Sequence, residues 1–137
     1  MTVYMRLNEF QSTATRWARA TFGDAPVADK QERAYRFFEE AVELAQACGM
    51  SAADCVRMVE LMYSRPVGEI NREVGGVANT LAILCSALGV SMGAAAEDEM
   101  ERCWRNIEQI RAKGFAKAIR SATLPESGTT SYVGTDR

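Results

Sequence analysis

Arg33-Ala-Tyr-Arg-Phe-Phe-Glu-Glu-Ala-Val-Glu-Leu-Ala-Gln-Ala-Cys-Gly49 combines helical periodicity with carboxylates in unexpected places. Phe37, Phe38, Ala41, Val42, Leu44 and Ala45 recur at spacings that predict a helix with a broad inward face. Glu39, Glu40 and Glu43 fall among these residues rather than opposite them. Residues three or four apart on a helix are neighbours, with Cβ atoms about 5–6 Å apart. Glu40 and Glu43 therefore form one acidic pair, and Glu39 with Glu43 another. Like charges held so close destabilise a helix unless something cationic offsets them. A divalent metal ion would do so, and so would Arg33 and Arg36, which precede Glu39 and Glu40 at helical spacing.

On the N-terminal side, Leu7, Phe10, Ala14, Trp17 and Ala18 predict a helix from residue 3 to about 21. Gly23-Asp-Ala-Pro26 breaks that pattern, and Asp29 is placed to cap the acidic helix, expected over Lys30–Cys48 with Gly49 as its stop. On the C-terminal side, Ser51 with Asp54 three residues later is close to a capping box, and the helix it opens should end before Arg65-Pro66. A fourth helix is expected over Gly68–Leu88, closed by Gly89. Its second half (Val77, Leu81, Ile83, Leu84, Leu88) is so uniformly apolar that it should be central and buried. Ser91 or nearby starts the last helix, expected from Ala94 to about Ile119, with Met100, Cys103, Trp104, Ile107 and Ile110 recurring at helical spacing. From Ser121 the chain becomes rich in Ser, Thr and Gly, the composition of a flexible tail. The expectation is all-α: one four- to five-helix bundle domain over residues 1–120, followed by a tail over 121–137.

Bulk composition narrows the chemistry. At 137 residues, with 47% hydrophobic and 25% charged residues and a formal net charge of −2, the chain fits one soluble domain. The charge balance lacks the basic excess of a surface for nucleic acid polymers. No apolar run is long enough to span a bilayer, and no signal-peptide pattern opens the chain. The 4 cysteines form no Cys-x-x-Cys pair, which suits reduced thiols in the cytoplasm. Histidine is absent, so histidine triads, histidine zinc sites and imidazole bases are excluded.

A second acidic group opens the fourth helix: Glu69-Ile-Asn-Arg-Glu73-Val-Gly-Gly76. A bundle interior receiving Glu40 and Glu43 from one helix and Glu73 from another would gather carboxylate oxygens. Hard oxygen ligands without imidazole or thiolate suit Mg²⁺, with Mn²⁺ as a substitute, and Mg²⁺ commonly takes substrate phosphates as further ligands. A Glu-x-x-Glu on a helix is also a common solvated face, so the position of these residues on an apolar face is what matters. Gly75-Gly76 inside the helix costs about 1 kcal/mol per glycine relative to alanine. Two accounts fit that cost equally: close approach of another helix, or room for a substrate or ion.

Phe38-Glu-Glu-Ala-Val-Glu-Leu44, followed by Glu73-Val-Gly-Gly-Val-Ala-Asn-Thr-Leu81, resembles the MazG-like all-α nucleoside triphosphate pyrophosphohydrolases. The likeness is to the short members from phages and prophages, over about residues 14–117, and includes Arg65-Pro-Val-Gly-Glu69 and Ile110-Arg-Ala-Lys113. It implies Mg²⁺ held by four carboxylates and a nucleoside triphosphate split into monophosphate and pyrophosphate. By that resemblance Glu40, Glu43 and Glu73 are metal ligands, and Glu39 or Glu43 is the proton acceptor. Arg36, Asn79 and Lys113 are candidates to bind substrate, and a homodimer or homotetramer is expected. The chain departs from the pattern at Gly76, where the family has aspartate. A weakened nucleotide-binding or protein-interaction module is the alternative this departure favours.

Overall fold

The structure, a computed structural model, describes residues 3–114, and every regular element among them is helical. The elements are α1 (Val3–Phe22), α2 (Asp24–Ala28), α3 (Lys30–Ala47), α4 (Ala52–Tyr63), α5 (Ile70–Leu88) and α6 (Met92–Arg105). A further helical stretch over 107–114 follows a turn at Asn106. The end of the last helix near Ile119 and the tail over 121–137 lie outside the described residues.

Local chemistry explains most boundaries. The Asp29 carboxylate accepts from the backbone N–H of Gln31 and Glu32 at 3.0 and 3.1 Å and so starts α3. Gly49, at φ 90°, turns the chain out of α3, and Gly89, at φ 66°, does the same after α5, each in the left-handed region that glycine enters without strain. Ser51 caps α4 by accepting from Asp54 N–H at 3.1 Å, and Ser91 caps α6 by accepting from Ala94 N–H at 3.2 Å.

Several boundaries differ from the sequence expectation; α6, for one, begins at Met92 rather than Ala94. The Gly23–Pro26 break contains a single helical turn, α2, after Gly23 at φ 84°. α5 begins at Ile70 rather than Gly68, because Glu69 is its extended N-cap residue at ψ 131°. The last helix is not continuous: Asn106 leaves the helical region at φ −111°, ψ 28°, and its side-chain amide donates to the Arg102 carbonyl at 3.0 Å. That side chain competes with the backbone for the same acceptor, a habit that disfavours asparagine inside helices.

The larger difference is in packing. α1, α2, α3 and α6 associate through the α1–α2, α2–α3 and α1–α6 contacts, whereas α4 and α5 have no comparable partner among the described residues. α5 is therefore not the buried central helix its composition predicts: within one chain Ile70 is 80%, Val74 63% and Ile83 61% exposed. The intended inward face of α3 is also open, with Phe37 and Phe38 both more than half exposed. Among the described residues only Thr21 and Cys103 are buried, at the junction of α1 with α6. The chain is all-α, but its described residues close no bundle around a shared core.

Arg111 secures that junction. It reaches back about ninety residues in sequence to donate to the carbonyls of Ala20 and Thr21, both at 3.0 Å, at the C-terminus of α1. These carbonyls have no intrahelical donor and carry the negative end of the helix dipole. Arg111→Ala is expected to lower stability by about 1–2 kcal/mol, read as a fall in melting temperature of several degrees. Arg111→Met, which keeps much of the stem but no donor, should fall by a similar amount if the hydrogen bonds carry the effect.

Candidate functional site

A cavity of about 1050 Å³ lies where α1, α2, α3, α6 and the 107–114 stretch meet. One wall is aromatic and cationic. Trp17 and Phe22 meet edge to face with ring centroids 5.6 Å apart, and the Arg33 guanidinium stands over Phe22 at 5.7 Å. Arg33 pairs with Glu32 at 3.4 Å. Glu32 in turn accepts from Arg36 Nε at 2.7 Å, and Arg36 Nη1 donates to Glu39 at 3.2 Å. Glu32, Arg33, Arg36 and Glu39 thus form one partly buried network along two turns of α3. Burial alone would lower the Arg36 pKa, but the hydrogen bonds to Glu32 and Glu39 outweigh it and hold the guanidinium above its ordinary value.

The facing wall belongs to α6. Arg102 donates to Glu99 through Nε at 2.8 Å, and this hydrogen bond holds the Glu99 carboxyl below its usual value. Cys103, the buried thiol, donates to Glu99 Oε1 at 3.5 Å. Burial, reinforced by the Glu99 charge, pushes its pKa up to about 11. At that value roughly one thiol in a thousand is ionised at pH 8. Cys103 should therefore react with iodoacetamide far more slowly than exposed Cys48, its rate climbing as pH rises toward 11. Peptide mapping after timed alkylation reads both rates.

The structure brings some of the expected site residues together and leaves others apart. Arg36, Glu39, Glu40 and Lys113 all line this cavity. Among the described residues neither Glu40 nor Asp29 of the lining is paired with an arginine; Asp29 accepts from the backbone at the start of α3, while the Glu40 charge reaches Arg102 and Cys103. Glu43 lies one turn further along α3, exposed and outside the lining. Asn79 is exposed on α5. Glu73 is folded back on the start of its own helix, so close to Gly68 that a Cβ there would collide with its carboxylate.

Whether these residues suit a divalent cation follows from that placement. The donors are hard carboxylate oxygens, as Mg²⁺ requires. Yet among the described residues no three such side chains come together closely enough to hold a metal ion.

Glu99, Arg102, Cys103 and Phe22 were not singled out by the sequence. The Glu99-x-x-Arg102 spacing signals an ion pair on one helix, but only the α1–α6 contact shows that it faces the α3 network. The fold and site together define an all-α protein with a large charged cavity walled by arginines and carboxylates. Comparison with known protein families, with curated proteins and with solved structures finds no match for the chain.

Proposed function

We propose that the protein is a Mg²⁺-dependent nucleoside triphosphate pyrophosphohydrolase, releasing a nucleoside monophosphate and pyrophosphate, with Mn²⁺ able to replace Mg²⁺. The observation that carries the reading is the cavity, where Glu39 and Glu40 stand beside Arg36 and Lys113. Guanidinium and ammonium groups suit the oxygens of a polyphosphate, and the Trp17–Phe22 wall offers aromatic surface to a base. In this reading a water attacks the α-phosphorus, a glutamate (Glu39 or Glu43) takes its proton, and pyrophosphate leaves. The divalent ion would supply charge neutralisation at the phosphates. Glu40, Glu43 and Glu73 are its proposed ligands, which requires α5 to approach α3 more closely than it does in the isolated chain. Asn79 on α5 would join the substrate contacts by the same movement. The proposed setting is a cytoplasmic homodimer or homotetramer. No single helix among the described residues is long and apolar enough to cross a membrane.

A second reading, nucleotide binding without turnover, is favoured by two observations: Gly76 occupies the place of the fourth carboxylate, and Glu73 is turned onto Gly68. One experiment separates them. The full chain is incubated with canonical and modified nucleoside triphosphates plus Mg²⁺, and pyrophosphate is measured. Release that EDTA abolishes supports hydrolysis. Metal-dependent binding without release supports the second reading, and neither leaves both without support. In the same samples Mg²⁺ with a bound nucleotide should raise the melting temperature, because any ligand of the native state stabilises it; about 2.7 kcal/mol is expected at a hundredfold excess over Kd.

A further inference from the structure

We propose that Trp17 and Arg33 select the base of the nucleotide. Their unmet N–H groups, both beside the Phe22 ring, take the carbonyl oxygen of a keto base (uracil, thymine, guanine or hypoxanthine) and reject the amino group of cytosine or adenine. The inference rests on the proposed nucleotide site and deepens it by naming the class of base.

Three side-chain donors at this cavity are sealed from water and have no acceptor among the described residues: Trp17 Nε1, Arg33 Nε and Arg36 Nη2. Buried polar groups in native proteins are almost always paired, because an orphan donor keeps its full desolvation penalty. Two of the three share one ring. Phe22 meets the Trp17 indole edge to face at 5.6 Å and lies under the Arg33 guanidinium at 5.7 Å. Gly114 closes the corner, so near that an added Cβ would stand 2.6 Å from Phe22 Cε1. Phe22 is thus a flat group fitted against an indole and a guanidinium, and it has no atom that can accept from either.

The donors themselves describe the missing partner. An indole N–H only donates, and a guanidinium carries no acceptor, so both ask for an acceptor atom. The surface around them is aromatic, which suits a flat ring. A phosphate placed there would lose its hydration against apolar surface, whereas a base carbonyl brings its acceptor on a ring that covers the wall. Arg36 stands apart from this corner, with its guanidinium over Tyr35 at 5.3 Å, and stays with the phosphates. An exocyclic amino group would set N–H against N–H and leave both donors unmet, the kind of mismatch by which polar sites discriminate. Neither donor touches water in the resting arrangement, so the base reaches them by turning the Phe22 ring aside.

The test uses the full chain, Mg²⁺ and α,β-imido analogues of UTP, CTP, ITP and ATP, which are not cleaved between the α and β phosphates. UTP differs from CTP, and ITP from ATP, only at the keto or amino position and its adjoining ring nitrogen. Calorimetry should find each keto analogue bound about tenfold or more tightly than its amino counterpart. Trp17→Phe keeps an aromatic ring but removes the donor; it should bring the UTP analogue down toward the CTP analogue and leave the latter unchanged. In Trp104→Phe, where Trp17 is the sole tryptophan, indole emission should shift with the UTP analogue and not with the CTP analogue. Equal affinities, or a preference for the amino bases, overturn the inference and spare the hydrolase reading, since the nucleotides then bind through their phosphates. A keto preference that survives both Trp17→Phe and Arg33→Met overturns it as well, by moving base recognition away from this corner. If those variants fail to fold, the affinities of the unaltered chain and the Trp17 emission still decide. No binding of any analogue sinks the nucleotide reading and the base selection with it.

Discussion

Glu40→Gln is expected to reduce pyrophosphate release by about a hundredfold or more while leaving the melting temperature nearly unchanged. The two halves of that expectation come from the same observation. Glu40 lines the cavity but among the described residues has no arginine bound to it, unlike Glu39, which accepts from Arg36 at 3.2 Å. An exposed side chain with no ion pair contributes little to stability, so its replacement should fall within about 0.5 kcal/mol. Removing a carboxylate that orders a metal or takes a proton costs a factor of about 10²–10⁴ in comparable sites. Glutamine keeps the size and the carbonyl oxygen but neither the charge nor the basicity. Glu43→Gln extends the test. Glu43 lies outside the cavity in one chain, so a loss as large as that at Glu40 would mean that the working site is assembled differently from the isolated chain. A loss confined to Glu40 would make Glu43 a solvated carboxylate. Glu39→Gln is less informative, because it also removes an acceptor from Arg36 and mixes stability with activity. Full activity in Glu40→Gln would remove the cavity from the functional reading.

The parts of this architecture that sequence revealed are the parts decided within a few residues. Asp29, Ser51 and Ser91 announce helix starts because capping is a contact over two or three positions, and Gly49 and Gly89 announce ends because their conformation disfavours other residues. Asn106 misled for the mirror-image reason: the apolar spacing of Met100, Cys103, Ile107 and Ile110 runs through it, while its side-chain bond to Arg102 interrupts the helix. The site was legible along α3 and illegible across helices. Arg36 and Glu39 meet at helical spacing, so their pairing follows from the sequence alone. That the α3 network faces Glu99 and Cys103 of α6, while Glu73 of α5 lies elsewhere, depends on which apolar stripes pack together. Several stripes here are of similar strength, so pattern alone does not rank their partners. The apolar run of α5 was legible as something to be buried, whereas the structure leaves most of it exposed.

Gly76→Asp is expected to increase Mg²⁺-dependent pyrophosphate release by about tenfold or more, the scale on which loss or gain of a ligand-ordering group changes a metal site. Gly76 stands one helical turn beyond Glu73, so an aspartate there would share the face of Glu73 and restore the Glu-x-x-Asp pattern that the chain resembles but lacks. The substitution is sterically open, since a Cβ at Gly76 meets nothing within 4 Å. It should also stabilise α5 slightly, by about 0.3 kcal/mol, because glycine is the poorer helix former. Turnover gained in Gly76→Asp, with oligomeric mass unchanged, would indicate a hydrolase whose fourth ligand has been lost. Oligomeric mass lost together with turnover would decide the glycine pair in favour of helix approach. If neither changes, Gly76 belongs to neither surface, and the departure from the acidic pattern no longer bears on activity.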